Sequence, residues 1–147
     1  MIALACDHGG FDLMREVKVY LGECGHVYKD FGTYNTESCD YPEIAVRAAG
    51  AIISGECDRG IFICGTGVGM SIAANKVPGI RAALCADCFT AEMTRRHNDA
   101  NVVVLGGRVT GAGLALKIIE IFLSTGFESG GRHSRRVDML GELDNRR

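Results

Sequence analysis

Ile61-Phe62-Ile63-Cys64-Gly65-Thr66-Gly67-Val68-Gly69-Met70-Ser71 is the stretch on which the fold turns. Its first four residues form a short apolar run with β-branched and aromatic side chains, which reads as a buried strand. Ser71 then opens a segment of helical character. Between them, glycine at every second position marks a tight turn. Similar runs recur at Ile2–Cys6 and at residues 27–31, 81–85 and 102–105, so five strands are predicted. The segments between carry helical stripes: Leu13, Val17, Tyr20 and Leu21; Ile44, Ala48 and Ile52; Leu114, Ile118, Ile121 and Phe122. Gly22 and Gly25 suit the end of the first helix, and Asp40 and Pro42 the start of the second. Strands alternating with helices imply an α/β fold. Right-handed crossovers then join the strands in parallel, with helices on both faces of a doubly wound sheet. In such sheets ligands bind beyond the carboxyl ends of the strands.

The 147 residues, 47% of them hydrophobic, suffice for one core, and no repeat, low-complexity tract or linker divides them. A single domain over 1–147 is expected. Its tail from about Gly130 is basic at Arg132, Arg135 and Arg136, and it ends in a short helical stretch, 137–143, able to pack on a neighbour. A net charge of -2 and a pI near 6.1 leave no footprint for nucleic acid or an anionic membrane. The first residues show neither a basic leader nor a cleavage pattern, and no apolar run approaches membrane-spanning length. Seven cysteines are an odd number in a chain that needs no staples, so reduced thiols in a cytoplasmic setting are expected. One C-x-x-C, Cys85 and Cys88, is weak evidence for zinc without a second pair.

With 20 glycines against two prolines, the positions of the glycines carry information. Those at 65, 67 and 69 let successive backbone N–H groups converge, and the positive end of the following helix adds to their field: an anion cradle. No Gly-Lys-Ser/Thr follows, and Met70 stands where a dinucleotide fingerprint needs a small residue. A glycine-rich turn without a ligand is the plain alternative. Cys64 ends the strand against this cradle, where a helix N-terminus favours thiolate over thiol, although a buried core cysteine is the commoner case. Asp7-His8-Gly9-Gly10 ends the first strand at the same sheet edge; Asp7 serves equally as a helix cap and His8 as a surface residue. Tyr41, in the loop opening the second helix, offers a hydroxyl to a sugar or a ring to the core. His97-Asn98-Asp99-Ala100-Asn101 closes the fourth helical segment and reads alone as turn formers behind a helix end. Arg108, Arg132 and Arg136 suit phosphate, whose geometry guanidinium matches in a bidentate way. Asp87, about 20 residues past Gly67, would suit a nicotinamide enzyme, which Met70 argues against.

Taken together, five segments carry a resemblance. They are Asp7-His8-Gly9-Gly10; Asp40-Tyr41-Pro42; Cys64 to Gly69 running on into Ser71-Ile72-Ala73-Ala74-Asn75-Lys76; His97 to Asn101; and Gly130-Gly131-Arg132-His133 with Arg136. In order and spacing this set resembles the family of ribose 5-phosphate isomerase B and the paired subunits of galactose 6-phosphate isomerase, over nearly the whole chain. The resemblance implies a three-layer Rossmann-like fold with a five-stranded parallel sheet. It also implies a homodimer or dimer of dimers with its sites at the subunit interface. The chemistry implied is a cofactor-free and metal-free aldose–ketose isomerisation of ribose 5-phosphate and ribulose 5-phosphate through a cis-enediolate.

Carried over residue by residue, the resemblance makes Cys64 the base at C2, with Thr66 beside the reacting carbons and the N–H groups of Gly65, Thr66, Gly67, Val68 and Gly69 around the enediolate. His97 would open the furanose ring and Asp7 would position ring hydroxyls. Tyr41 and Asn98 would bind substrate, and Arg108, Arg132 and Arg136, with His8, would hold the phosphate. His97, Asn98 and some arginines would reach across from a partner subunit. Some relatives use a glutamate a few residues further on as base; here Ser71 to Lys76 contains no acid, which favours the thiol. Phe89 stands where relatives often have tyrosine, and Arg95-Arg96 precede His97 where one basic residue is usual. A six-carbon aldose 6-phosphate as substrate and a non-catalytic sugar-phosphate sensor are the alternatives.

Overall fold

In the computed structural model, which describes residues 1–144, a five-stranded sheet is built from β1 (Ile2–Cys6), β2 (Tyr28–Asp30), β3 (Arg59–Cys64), β4 (Ala82–Leu84) and β5 (Val102–Gly106). The strand order is β2-β1-β3-β5-β4, and every pairing is parallel. After β1 the chain moves to one side of the sheet and after β3 to the other, so the order reverses between these two strands. That reversal opens a crevice at their carboxyl ends, where open α/β sheets take ligands.

Six helices complete the three layers: α1 (Phe11–Glu23), α2 (Tyr41–Ile53), α3 (Val68–Ala74), α4 (Cys88–Asn98), α5 (Ala112–Ser124) and α6 (Gly131–Asp144). Successive strand residues point to opposite faces. Leu4, Ile61, Ile63, Val103 and Leu105 meet Leu13, Met14, Val17, Ile118 and Phe122 of α1 and α5. Ala3, Ala5, Phe62, Val102 and Val104 meet Ile44, Ala48 and Ile52 of α2 and Met70 and Ala74 of α3 on the other face. Both faces are covered, so β1 and β5 are buried along their full length.

Six elements depart from the sequence reading at one or both ends, β5 by a single residue at Gly106. The edge strands β2 and β4 are three residues each, shorter than 27–31 and 81–85, because an edge strand has a ladder on one side only. β3 starts earlier, at Arg59, whose Nη1 is satisfied by the carbonyls of Phe122 and Leu123. α3 begins at Val68 rather than near Ser71: Gly67 takes φ 81 and its carbonyl accepts the Ser71 N–H at 3.0 Å, which closes the first helical turn early. α6 runs from Gly131 rather than over 137–143. It packs beside α4, buries none of its side chains, and exposes Met139, Leu140 and Leu143. No helix among the described residues is long and apolar enough to cross a membrane.

Candidate active site

Three loops leave the carboxyl edge of the sheet and lock together. The Asp7 N–H donates to the Ile63 carbonyl, the Gly107 N–H to the Cys64 carbonyl, and the Arg108 N–H to the Gly65 carbonyl. Gly107 lies so close to Gly9 that a methyl group on it would sit 2.6 Å from the Gly9 oxygen. The fit of backbone on backbone fixes Asp7, His8, Cys64 and Arg108 relative to one another.

Asp7 is buried, and its Oδ1 accepts the N–H groups of Gly9 at 2.8 Å and Gly10 at 3.1 Å, bending β1 into α1. Asp7 is not a helix cap: the N-cap of α1 is Gly10, with no side chain on it, and the Asp7 carboxylate instead holds the turn before the helix. The His8 Nδ1 accepts the Cys39 N–H at 3.3 Å, which places the proton of a neutral imidazole on Nε2. Cys64 is 4% exposed, and its Sγ accepts the Gly67 N–H at 3.2 Å. Of the amides in the glycine turn, this one points at the sulfur and is not free to meet an anion. The Val68 N–H turns to Thr66 Oγ1 at 3.4 Å. The Arg108 guanidinium lies over Gly65, with Nη1 3.6 Å from where a side chain there would begin. The Tyr41 ring lies flush against Gly69, where a methyl group would come within 2.7 Å of it.

Three other thiols hold their protons more firmly than a free thiol does. Burial pushes Cys6 and Cys85 up to about 12, and burial raises Cys57 as well. All seven cysteines are free. Asp87, the residue that would suit a nicotinamide ribose, is committed to its own helix: it caps α4 by accepting the Thr90 N–H at 2.7 Å and the Thr90 hydroxyl at 2.8 Å.

The remaining candidates stand at the opposite edge. His97 and Asn98 end α4, which runs back toward the amino ends of the strands, and Asp99 turns the chain into β5 with φ 46. Arg95 is buried and braces that turn through Asp99 Oδ1 at 2.8 Å and the Ala100 carbonyl at 2.6 Å. Arg96 pairs with Glu92 and Glu128 on the surface. Arg132 and Arg136 belong to α6, whose His133 stacks on His97 with ring centroids 4.2 Å apart. A groove of about 350 Å³ lies at this edge, between the start of β4, α4 and α6, and Asn98 lines it. β5 climbs five residues from Val102 to Gly106, the level of Cys64. The two groups are therefore separated by on the order of 13 Å along the strands. One chain thus brings together Asp7, His8, Tyr41, Cys64, the cradle and Arg108. It does not bring His97, Asn98, Arg132 or Arg136 to them. Sequence reasoning missed Cys39, whose amide fixes the His8 tautomer; a loop backbone contact leaves no residue-type signal.

The family described as Ribose/Galactose Isomerase matches residues 2–140. Ribose-5-phosphate isomerase B of Escherichia coli is 47% identical over 146 residues, covering 99% of this chain and 97% of that protein. Among solved structures, ribose-5-phosphate isomerase B of Clostridium thermocellum superposes with a TM-score of 0.96 at 52% identity, covering 99% of this chain and 97% of the other. The ribose 5-phosphate isomerase of Thermotoga maritima gives 0.93 at 52% identity, with coverage of 96% and 97%.

Proposed function

This chain belongs to the ribose/galactose isomerase family, and from that premise we propose that it interconverts ribose 5-phosphate and ribulose 5-phosphate, with Cys64 as the base. The observation that carries the reading is the thiol of Cys64 at the tip of β3, beside the glycine turn and 3.2 Å from the Gly67 amide. That donor stands against the sulfur that would take the proton. The thiolate takes the C2 proton of the open-chain aldose, the C2 electrons form the C1–C2 double bond, and the C1 carbonyl becomes an oxyanion. The thiol then returns the proton to C1, the O2 proton passes to the O1 oxyanion, and the O2 electrons form the C2 carbonyl, giving the ketose. A C2 proton is weakly acidic, so the enediolate needs preorganised donors, each worth roughly 3–4 kcal/mol where measured in other enzymes. The outward amides of the turn and the Thr66 hydroxyl supply them. Arg108 and His8, with Nε2–H directed away from Cys39, hold the phosphate.

Ring opening needs an acid, and in this reading it comes from a second copy. His97, Asn98, Arg132 and Arg136 of one subunit complete the crevice of the other, as a homodimer or a dimer of such dimers. Exposed Val68, Ile72, Leu84, Phe89 and Val109 around the cradle supply apolar surface for that contact. The basic tail from about Gly130 serves both site and interface of one 1–147 domain. Seven free thiols support a cytoplasmic location. The test mixes pure protein with ribose 5-phosphate and follows ketose formation, with allose and galactose 6-phosphates as competitors. Turnover that survives EDTA, is highest in kcat/KM for the five-carbon sugar, and is lost in Cys64→Ala supports the proposal. Full activity in Cys64→Ala refutes the choice of base.

A further inference from the structure

Three segments that lie far apart in sequence meet behind the end of α4. Glu128, in the loop after α5, is fixed twice by Arg96: its backbone N–H donates to the Arg96 carbonyl at 3.0 Å, and its Oε1 accepts from Arg96 Nη1 at 2.9 Å. His133, in the first turn of α6, lies on His97 with the two ring planes only 2° apart. One donor atom from each of His97, Glu128 and His133 falls within 4.8 Å of the other two. Two imidazole nitrogens and a carboxylate oxygen are the donors that borderline transition ions prefer. Three protein ligands also leave a fourth position for water.

We propose that His97, Glu128 and His133 form a binding site for a zinc-class divalent ion, and that its occupation takes His97 out of catalysis. The second clause rests on the reading of His97 as the ring-opening acid. Bonds of about 2.0–2.2 Å require donors roughly 3.4 Å apart in a tetrahedral site. The rings must therefore hinge from their parallel stack until their lone pairs converge. The surroundings allow this: both rings are only half-buried, Glu128 is exposed, and α6 buries no side chain that would anchor its first turn. The pairing with Arg96 aims the carboxylate and leaves its second oxygen to the ion. Arg96, Arg132 and Arg136 make the neighbourhood cationic, which weakens the site to a reversible one rather than a structural one. An ion that turns the His97 ring toward Glu128 and His133 holds it away from a sugar, so the ion and the substrate compete for one side chain.

The test titrates cobalt(II) and zinc(II) into the full chain as wild type, Glu128→Gln and His133→Asn, against a chromophoric chelator. One ion per chain is expected, with visible cobalt bands of a nitrogen–oxygen site and none of the near-ultraviolet charge transfer that a cysteine ligand would give. Affinity should fall tenfold or more in each variant. Equal affinity in all three proteins, or a thiolate band that persists in both variants, overturns the site. In the ribose 5-phosphate assay zinc should inhibit the wild type, EDTA should restore it, Glu128→Gln should turn over normally and escape inhibition, and whatever turnover His133→Asn keeps should escape inhibition too. Ion bound at the triad without inhibition overturns the link to His97. A protein that binds the ion here yet turns over no sugar phosphate when metal-free sinks the isomerase reading and leaves the site standing.

Discussion

Cys64→Ala and His97→Asn should each be nearly inactive, and mixing them should bring activity back. Loss of a positioned proton-transfer group lowers rates about 100- to 10,000-fold, so either homodimer is silent in practice. The geometry sets the recovery. Cys64 ends β3 at the carboxyl edge of the sheet, whereas His97 ends α4 at the other edge with its ring on His133. With on the order of 13 Å between these levels, and an imidazole reaching about half of that, no rotamer brings the two into one site. In the proposed two-fold dimer each site would take Cys64 from one subunit and His97 from the other. A mixed dimer then has one site carrying both lesions and one carrying neither. Random pairing of equal amounts makes about half the dimers mixed, each with one working site of two, so specific activity should reach about a quarter of wild type. Co-folding the variants with different tags, confirming mixed dimers by tandem capture and measuring ketose formation gives the number. Mixed dimers that stay as silent as their parents would refute the split site.

The glycine turn predicts a pair of opposite outcomes. Gly67→Ala forces a methyl group to φ 81, 3.0 Å from the Leu105 carbonyl carbon, and should cost about 2–4 kcal/mol in urea unfolding, whereas Gly50→Ala, inside α2 with nothing within 4 Å, should gain about 0.5–1 kcal/mol. Equal stability of the two variants would contradict the turn geometry. Arg108→Gln should raise KM about tenfold to a hundredfold with little change in kcat, the worth of a charge-assisted contact to phosphate; an unchanged KM would remove Arg108 from the site. Bonds from Thr90 hold the Asp87 carboxyl below its usual range. The unfolded chain therefore binds the proton first as pH falls, so this contribution is present above the unfolded pKa and lost on acidification through the folded one. Asp87→Ala should accordingly lose stability at neutral pH and show a flatter decline of the urea midpoint below about pH 4 than wild type.

What the sequence makes legible follows from what each element buries. β1, β3 and β5 are central and covered on both faces, so their apolar runs are almost uninterrupted and four of their six boundaries read correctly from residue type. β2 and β4 lie at the edges, half-exposed, where apolar flanking residues such as Val27 and Cys85 extend the pattern past the last ladder bond. α6 starts on Gly131 with φ 63, preceded by Gly130 with φ 93, and nothing in helix propensity marks a start there. The glycine turn at the end of β3 is legible because alternating glycine after a strand marks a tight turn. The Gly67 amide turned toward sulfur is not, since it depends on a backbone rotation that no residue type announces.

The division of the site follows from the topology itself. In a parallel sheet every crossover helix runs against the strands, so a residue that ends such a helix stands at the amino edge, and one that ends a strand stands at the carboxyl edge. Cys64 closes a strand and His97 closes a crossover helix. Motifs of these two kinds meet only if the chain folds over its own sheet or if two chains pair antiparallel about a two-fold axis. The first is closed to this protein: α4 packs along the sheet through Ala91, and Arg95 and Asp99 fasten its end to the start of β5. If both residues act on one sugar phosphate, the second chain is therefore part of the catalyst. A variant that folds normally but cannot pair should then be inactive, with every catalytic residue intact.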